Sequence, residues 1–145
     1  MSDTNKAIIR RFFDECLNLH NLQNYPTFYS DVIYRASSIG VLRGEEHLHL
    51  LSSLLAAFPD ALWTLEDQIA EVDRVVTRWT MLGTHTGTFM GLEGTGRQVR
   101  CSGMCIARLA DGRIVEEWEE WDTLGLVQQL SATAVPANVA DMIAP

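Results

Sequence analysis

Residues Gln98 to Asp122, QVRCSGMCIARLADGRIVEEWEEWD, decide the fold. Two strand-like runs flank Ala110-Asp111-Gly112, and Asp and Gly tolerate the positive φ that a tight hairpin turn requires. The stretch therefore predicts two antiparallel strands, Gln98 to Leu109 and Arg113 to Asp122. Working upstream, the same period of two predicts strands over Leu62 to Glu71 and Arg74 to Thr86. Gly91, Gly94 and Gly96 mark a longer loop before the final hairpin. Further back, Asp31 to Ser38 (DVIYRASS) is β-branched and aromatic enough for another strand.

The first third of the chain reads differently. Asp3 or Thr4 can cap a helix whose Ile9, Phe12, Phe13, Cys16 and Leu17 recur at three- and four-residue steps. A short second helix is expected near Asn24 to Phe28. A third follows Gly44, with Leu48, Leu51, Leu55 and Phe58 in helical spacing and Pro59-Asp60 as its stop. Thr123 to Leu130 (TLGLVQQL) predicts a closing helix. Helices gathered early and strands gathered late point to an α+β fold, in which a curved antiparallel sheet wraps around three N-terminal helices and leaves an internal pocket. Residues 1–130 form the expected domain and 131–145 an extension without clear periodicity.

At 145 residues with 47% hydrophobic content, the chain can bury one sizeable core and no second domain. Eleven Lys and Arg against nineteen Asp and Glu give a net charge of −8, which opposes contact with nucleic acid or an anionic membrane. The N-terminus has no signal-peptide pattern and no long apolar run follows, so a cytoplasmic location is expected. Cys16, Cys101 and Cys105 are odd in number and lack C-x-x-C spacing, as reduced core thiols do. His47 and His49 are two apart on a helix and diverge by roughly 200°, so no metal face is expected. The loop glycines do not fit a nucleotide-binding pattern, and no cofactor is expected.

The strings Asp73-Arg74-Val75-Val76-Thr77-Arg78-Trp79-Thr80, Gly83-Thr84-His85-Thr86-Gly87, Thr95-Gly96-Arg97, Asp111-Gly112-Arg113-Ile114-Val115-Glu116 and Asp122-x4-Val127-Gln128-Gln129-Leu130 resemble, in order, those of the SnoaL-like polyketide cyclases. Ala57-Phe58-Pro59-Asp60 fits the same pattern, and the match spans residues 4 to 130. The resemblance implies the cone-shaped fold of the nuclear-transport-factor-2-like superfamily. It also implies an intramolecular aldol cyclisation without metal or cofactor, on a small hydrophobic or polycyclic carbonyl compound.

By that similarity Asp122 matches an aspartate acting as acid and base at the pocket end of the last strand. A helix N-cap is the structural reading of the same residue. On the last strand Glu116, Trp118, Glu120 and Asp122 share one face, and Val115, Glu117, Glu119 and Trp121 the other. Arg78 and Arg108 are candidates for holding Asp122 ionised or binding a substrate carbonyl, with an outer-face position as the alternative. Tyr34, Trp63, Trp79 and Trp118 are candidate aromatic lining, and His85 a rim or structural residue.

Tyr34, Arg78 and Asp122 also match part of the set used by limonene-epoxide hydrolases, although Thr80 and Ala36 stand where that set has an aspartate and an asparagine. A non-catalytic ligand-binding role is the third reading. A homodimer or homotetramer is expected, because a half-open sheet with Trp and Val on both faces needs further cover.

Overall fold

The structure is a computed structural model and describes residues 1–131; the rest of the expected extension lies outside the described residues. Helix α1 (Ser2–Arg11) runs into a π-helical turn (Phe12–Leu17), and together they bury Ile9, Phe12, Phe13, Cys16 and Leu17. Those are the residues whose spacing predicts the helix. A 3-10 turn (Leu22–Asn24) leads into α2 (Tyr25–Phe28), then β1 (Tyr29–Ala36) and β2 (Gly40–Arg43). Helix α3 (Glu45–Ala57) has Glu45 and Glu46 in its first turn, where the helix dipole favours acidic groups, and ends before Pro59. Strands β3 (Leu62–Glu71), β4 (Arg74–Thr84), β5 (Gln98–Ala110) and β6 (Arg113–Trp121) follow, and α4 (Thr123–Leu130) closes the described chain.

The strand order is β2-β1-β6-β5-β4-β3, an α+β arrangement with an open curved sheet. β3 to β6 form the expected antiparallel run. The sheet as a whole is mixed, because β1 lies parallel to β6. It ends at β2 and β3 and does not close into a barrel. The decisive hairpin is formed as read: Asp111 and Gly112 both have positive φ, 51° and 76°.

Two irregularities decide what faces inward. In β1, Asp31 has φ 43° and the pairing with β6 shifts between Tyr29 and Ile33. Residues 29 and 34 would lie on opposite faces of a regular strand, yet both are buried on the inner side. In β6 the register shifts opposite Arg108 and Leu109, so that Ile114 and Glu117 are both buried. Among the described residues no helix is long and apolar enough to cross a membrane.

Candidate active site

The concave face of the sheet and the N-terminal helices enclose a cavity with about 70 Å³ of free volume. Its walls are mainly aromatic and aliphatic, with Trp63, Trp79, Tyr34 and Phe89 among them. The polar lining comes from two carboxylates, Glu117 and Glu119, two tyrosines, Tyr29 and Tyr34, and His47. None of the described lining residues is Lys or Arg. Among the lining residues Ile39, Leu50, Leu54, Glu119 and Trp121 are half-buried and the others are buried.

Each carboxylate has its own donors. Tyr34 Oη donates to Glu119 Oε1 at 2.7 Å, and Trp79 Nε1 donates to Glu119 Oε2 at 3.2 Å. Tyr29 Oη donates to Glu117 Oε2 at 2.9 Å. On the far side of Glu117, Oε1 lies 4.0 Å from His47 Nε2, while His47 Nδ1 is 2.8 Å from Tyr25 Oη. Tyr34 and His47 stack with ring centroids 4.4 Å apart.

Burial dominates the electrostatics here. It pushes Glu117 well above the usual carboxylate range, with the neighbouring Glu119 charge adding to the effect and the Tyr29 hydrogen bond opposing it. Glu119 is also raised by burial, against the opposing hydrogen bonds of Tyr34 and Trp79. Burial pushes His47 down to about 4, so its imidazole is neutral. Tyr34 is raised by burial and by Glu119, and keeps its proton as a donor.

The Trp79 contact depends on a glycine. Gly103 faces Trp79 across the β4–β5 ladder, and a Cβ there would overlap the indole ring. The missing side chain lets the indole sit close against Gly103 with Nε1 donating to Glu119.

Of the residues singled out in the sequence, Tyr34, Trp63 and Trp79 line the cavity. Asp122 does not. It is exposed, and its carboxylate caps α4 by accepting from Gly125 N at 2.9 Å. Arg78 is on the outer face of β4, 3.9 Å from Asp67. Arg108 is also on the outer face, where its Nε donates to Glu116 Oε1 at 2.8 Å. Trp118 lies between the guanidinium groups of Arg35 and Arg74, 5.1 and 5.5 Å from its ring. The reason is strand alternation: residue 118 takes the face opposite Glu117 and Glu119, and Arg78 the face opposite Trp79.

His85 is fully buried, but it fastens the loop after β4 and does not line the cavity. Its Nδ1 is 3.1 Å from Thr95 Oγ1, and its ring packs 5.4 Å from Phe58. Tyr34, Arg78 and Asp122 are therefore not brought together. The three cysteines are free and buried.

The sequence reading did not single out Glu117, Glu119, Tyr29 or His47. Alternation on β6 groups Glu117 with Glu119, but the opposite face carries Glu116, Glu120 and Asp122 beside Trp118, so the pattern alone did not mark which carboxylates face the cavity.

The family model for SnoaL-like polyketide cyclase matches residues 7–130. The chain belongs to this family. AclR from Streptomyces galilaeus, provisionally described as a hydroxylase, is similar at 27% identity and TM-score 0.84, covering 92% of this chain and 100% of its own. IdmH from Streptomyces antibioticus, provisionally described as a polyketide cyclase, is 27% identical with TM-score 0.76, over 87% of this chain and 97% of its own. A protein from Jannaschia sp. CCS1, provisionally described as a SnoaL-like polyketide cyclase, shares the fold at 23% identity and TM-score 0.84, over 92% and 95%. No curated protein matches the chain. AclR and IdmH, both at 27% identity, carry different descriptions, so this SnoaL-like chain's chemistry has to be argued from its own cavity.

Proposed function

We propose that this SnoaL-like protein is an acid/base enzyme acting on a compact, apolar carbonyl compound, with Glu119 as the base and Glu117 as the proton source. The observation that carries the reading is the pair of carboxylates, two residues apart on β6, in one apolar cavity with unequal sets of donors. Donors on both oxygens favour the anion of Glu119, and each oxygen retains a further lone pair for a substrate hydrogen. Glu117, more deeply desolvated and facing that anion, keeps its proton. Two carboxyl groups whose surroundings separate their protonation states are the usual basis for dividing acid and base roles.

The chemistry suits a carbon flanked by two carbonyls. Glu119 removes a hydrogen from that carbon, the enolate attacks a second carbonyl to form a new C–C bond, and Glu117 protonates the resulting alkoxide. About 70 Å³ accommodates the reacting end of a molecule, and the remainder would have to extend past Ile39, Leu50 and Leu54. Asp122 is assigned to capping, and the epoxide-hydrolase-like set lacks Arg78 and Asp122 at the cavity.

The test is α-hydrogen exchange of a small β-keto ester, ethyl acetoacetate, in deuterated buffer, followed by proton NMR. The wild-type protein should accelerate exchange above the buffer rate, and Glu119→Gln should lose about 10²–10⁴-fold of that acceleration. Wild-type protein no faster than buffer would refute the reading.

The outer sheet face supports a proposal on assembly. Ile69, Val76, Ile106 and Trp118 stand in register across β3, β4, β5 and β6, and Ile69 is 65% exposed. We propose that this row is covered by a second copy of the chain.

A further inference from the structure

Resting on the acid/base reading of the cavity, we propose that Tyr25 and His47 are a positioning pair that holds Glu117 as the proton-bearing carboxyl and so leaves Glu119 as the base. The pair belongs to helices α2 and α3, outside the sheet that carries both carboxylates. The proposed arrangement sets one tautomer by directing the Tyr25 hydrogen at a backbone carbonyl. Tyr25 Oη lies 3.5 Å from the carbonyl of Gly44, which can only accept. With its one hydrogen directed there, the Tyr25 hydroxyl accepts from His47 Nδ1–H at 2.8 Å. Nε2 is then bare, and it faces Glu117 Oε1 at 4.0 Å.

A bare imidazole nitrogen is an acceptor, so it favours a carboxylic acid opposite it over a carboxylate. Tyr29 completes the arrangement by donating to Oε2, the carbonyl oxygen of the acid form. The gap of 4.0 Å closes to hydrogen-bond range with a side-chain movement of about 1 Å. Both His47 and Glu117 are then neutral with their polar atoms paired, which is the low-cost state for groups only 1% and 6% exposed. The titratable groups facing this assembly are Glu119 from β6, Tyr29 and Tyr34 from β1, Cys105 from β5, Tyr25 from α2 and Cys16 from the π-helical turn. None of them is cationic, so the neutrality of Glu117 is set by hydrogen-bond direction and burial.

Glu119 has no such acceptor. Its contacts are the donors of Tyr34 and Trp79, and an indole N–H can only donate. The two halves of the cavity thus differ in the direction of their hydrogen bonds.

The test is NMR on the full chain labelled with ¹⁵N-histidine and ¹³C-carboxyl glutamate, with Glu117→Gln and Glu119→Gln used to assign the carboxyl signals. In the wild type, His47 should carry its proton on Nδ1 and Glu117 should titrate above Glu119. Tyr25→Phe removes the acceptor for Nδ1–H. The Nε2–H tautomer is then favoured and donates to the Glu117 carboxylate. The Glu117 midpoint should fall by about one pH unit or more, the effect of one hydrogen bond reversed in favour of the charged form. A wild-type His47 protonated on Nε2, or an unchanged Glu117 midpoint in a folded Tyr25→Phe, would overturn the proposal. If Tyr25→Phe fails to fold, the wild-type tautomer decides alone. No turnover is needed, so the expected tautomer in a protein that does not exchange ethyl acetoacetate would refute the catalytic reading while leaving this one standing.

Discussion

The hydroxyl of Tyr34 donates to Glu119 Oε1 over 2.7 Å, joining β1 to β6 inside the cavity. The contact exists because the bulge at Asp31 places Tyr34 on the same inner side as Tyr29. Removing the hydroxyl with Tyr34→Phe leaves one carboxylate oxygen without its donor. Exchange activity toward ethyl acetoacetate should fall while melting temperature changes modestly. A loss of roughly 10-fold is expected, the cost of about one charge-assisted hydrogen bond. Activity equal to wild type would remove Tyr34 from the account.

Gly103→Ala offers a steric test at one remove from the chemistry. Its Cβ would overlap Trp79, so the indole must shift and Nε1 must leave Glu119 Oε2. The variant should destabilise the fold by about 1–3 kcal/mol through overpacking, with an altered Trp fluorescence. Unchanged stability and fluorescence would show that the ring does not lie against β5.

Glu117 makes a signed pH prediction. Its folded-state affinity for a proton is raised above the ordinary value of 4.5, so unfolding releases that proton at any pH between 4.5 and the raised value. The contribution of Glu117 is therefore complete below pH 4.5 and is lost as pH rises through that window. Glu117→Gln carries no such dependence, so its unfolding free energy should gain on the wild type as pH rises from about 5 to 8, by up to roughly 1.4 kcal/mol per unit. His47 acts in the opposite direction in both proteins, because its folded value near 4 lies below the ordinary 6.5 and its contribution is lost on acidification. A difference between the two proteins that does not vary with pH would contradict the buried, protonated state of Glu117.

Much of the fold was legible because hairpins and helices leave local signals. Asp111-Gly112 announced the β5–β6 turn, Pro59 ended α3, and β3 to β6 followed the period of two, whereas the short β2 was not expected and β1 starts two residues before Asp31. The parallel pairing of β1 with β6 was not legible, since the partners are about 80 residues apart and nothing local encodes the direction. Tyr34, Trp63 and Trp79 were placed at the pocket on aromatic character and they line it. Tyr29 was not, because the strand was expected to begin at Asp31, and the left-handed backbone at Asp31 that puts Tyr29 on the inner side with Tyr34 leaves no local signal. Arg78 was ambiguous by parity until Trp79 was known to face inward.

The outer row of Ile69, Val76, Ile106 and Trp118 gives a prediction about assembly. Wild-type protein should run above 16.2 kDa in light scattering at micromolar concentration, and Ile106→Glu should shift it toward that mass. A wild-type mass of one chain would leave the row uncovered.

The most direct test sets the cavity carboxylate against the helix cap. Glu119→Gln and Asp122→Asn are each made as a near-isosteric change, and ethyl acetoacetate exchange is measured beside wild type. Asn caps a helix about as well as Asp, whereas Asp122→Ala should cost about 0.5–2 kcal/mol of stability. The account expects Glu119→Gln to lose about 10²–10⁴-fold and Asp122→Asn to keep near-normal activity. Full activity in Glu119→Gln together with a collapse in Asp122→Asn would contradict it and return the chemistry to the end of β6.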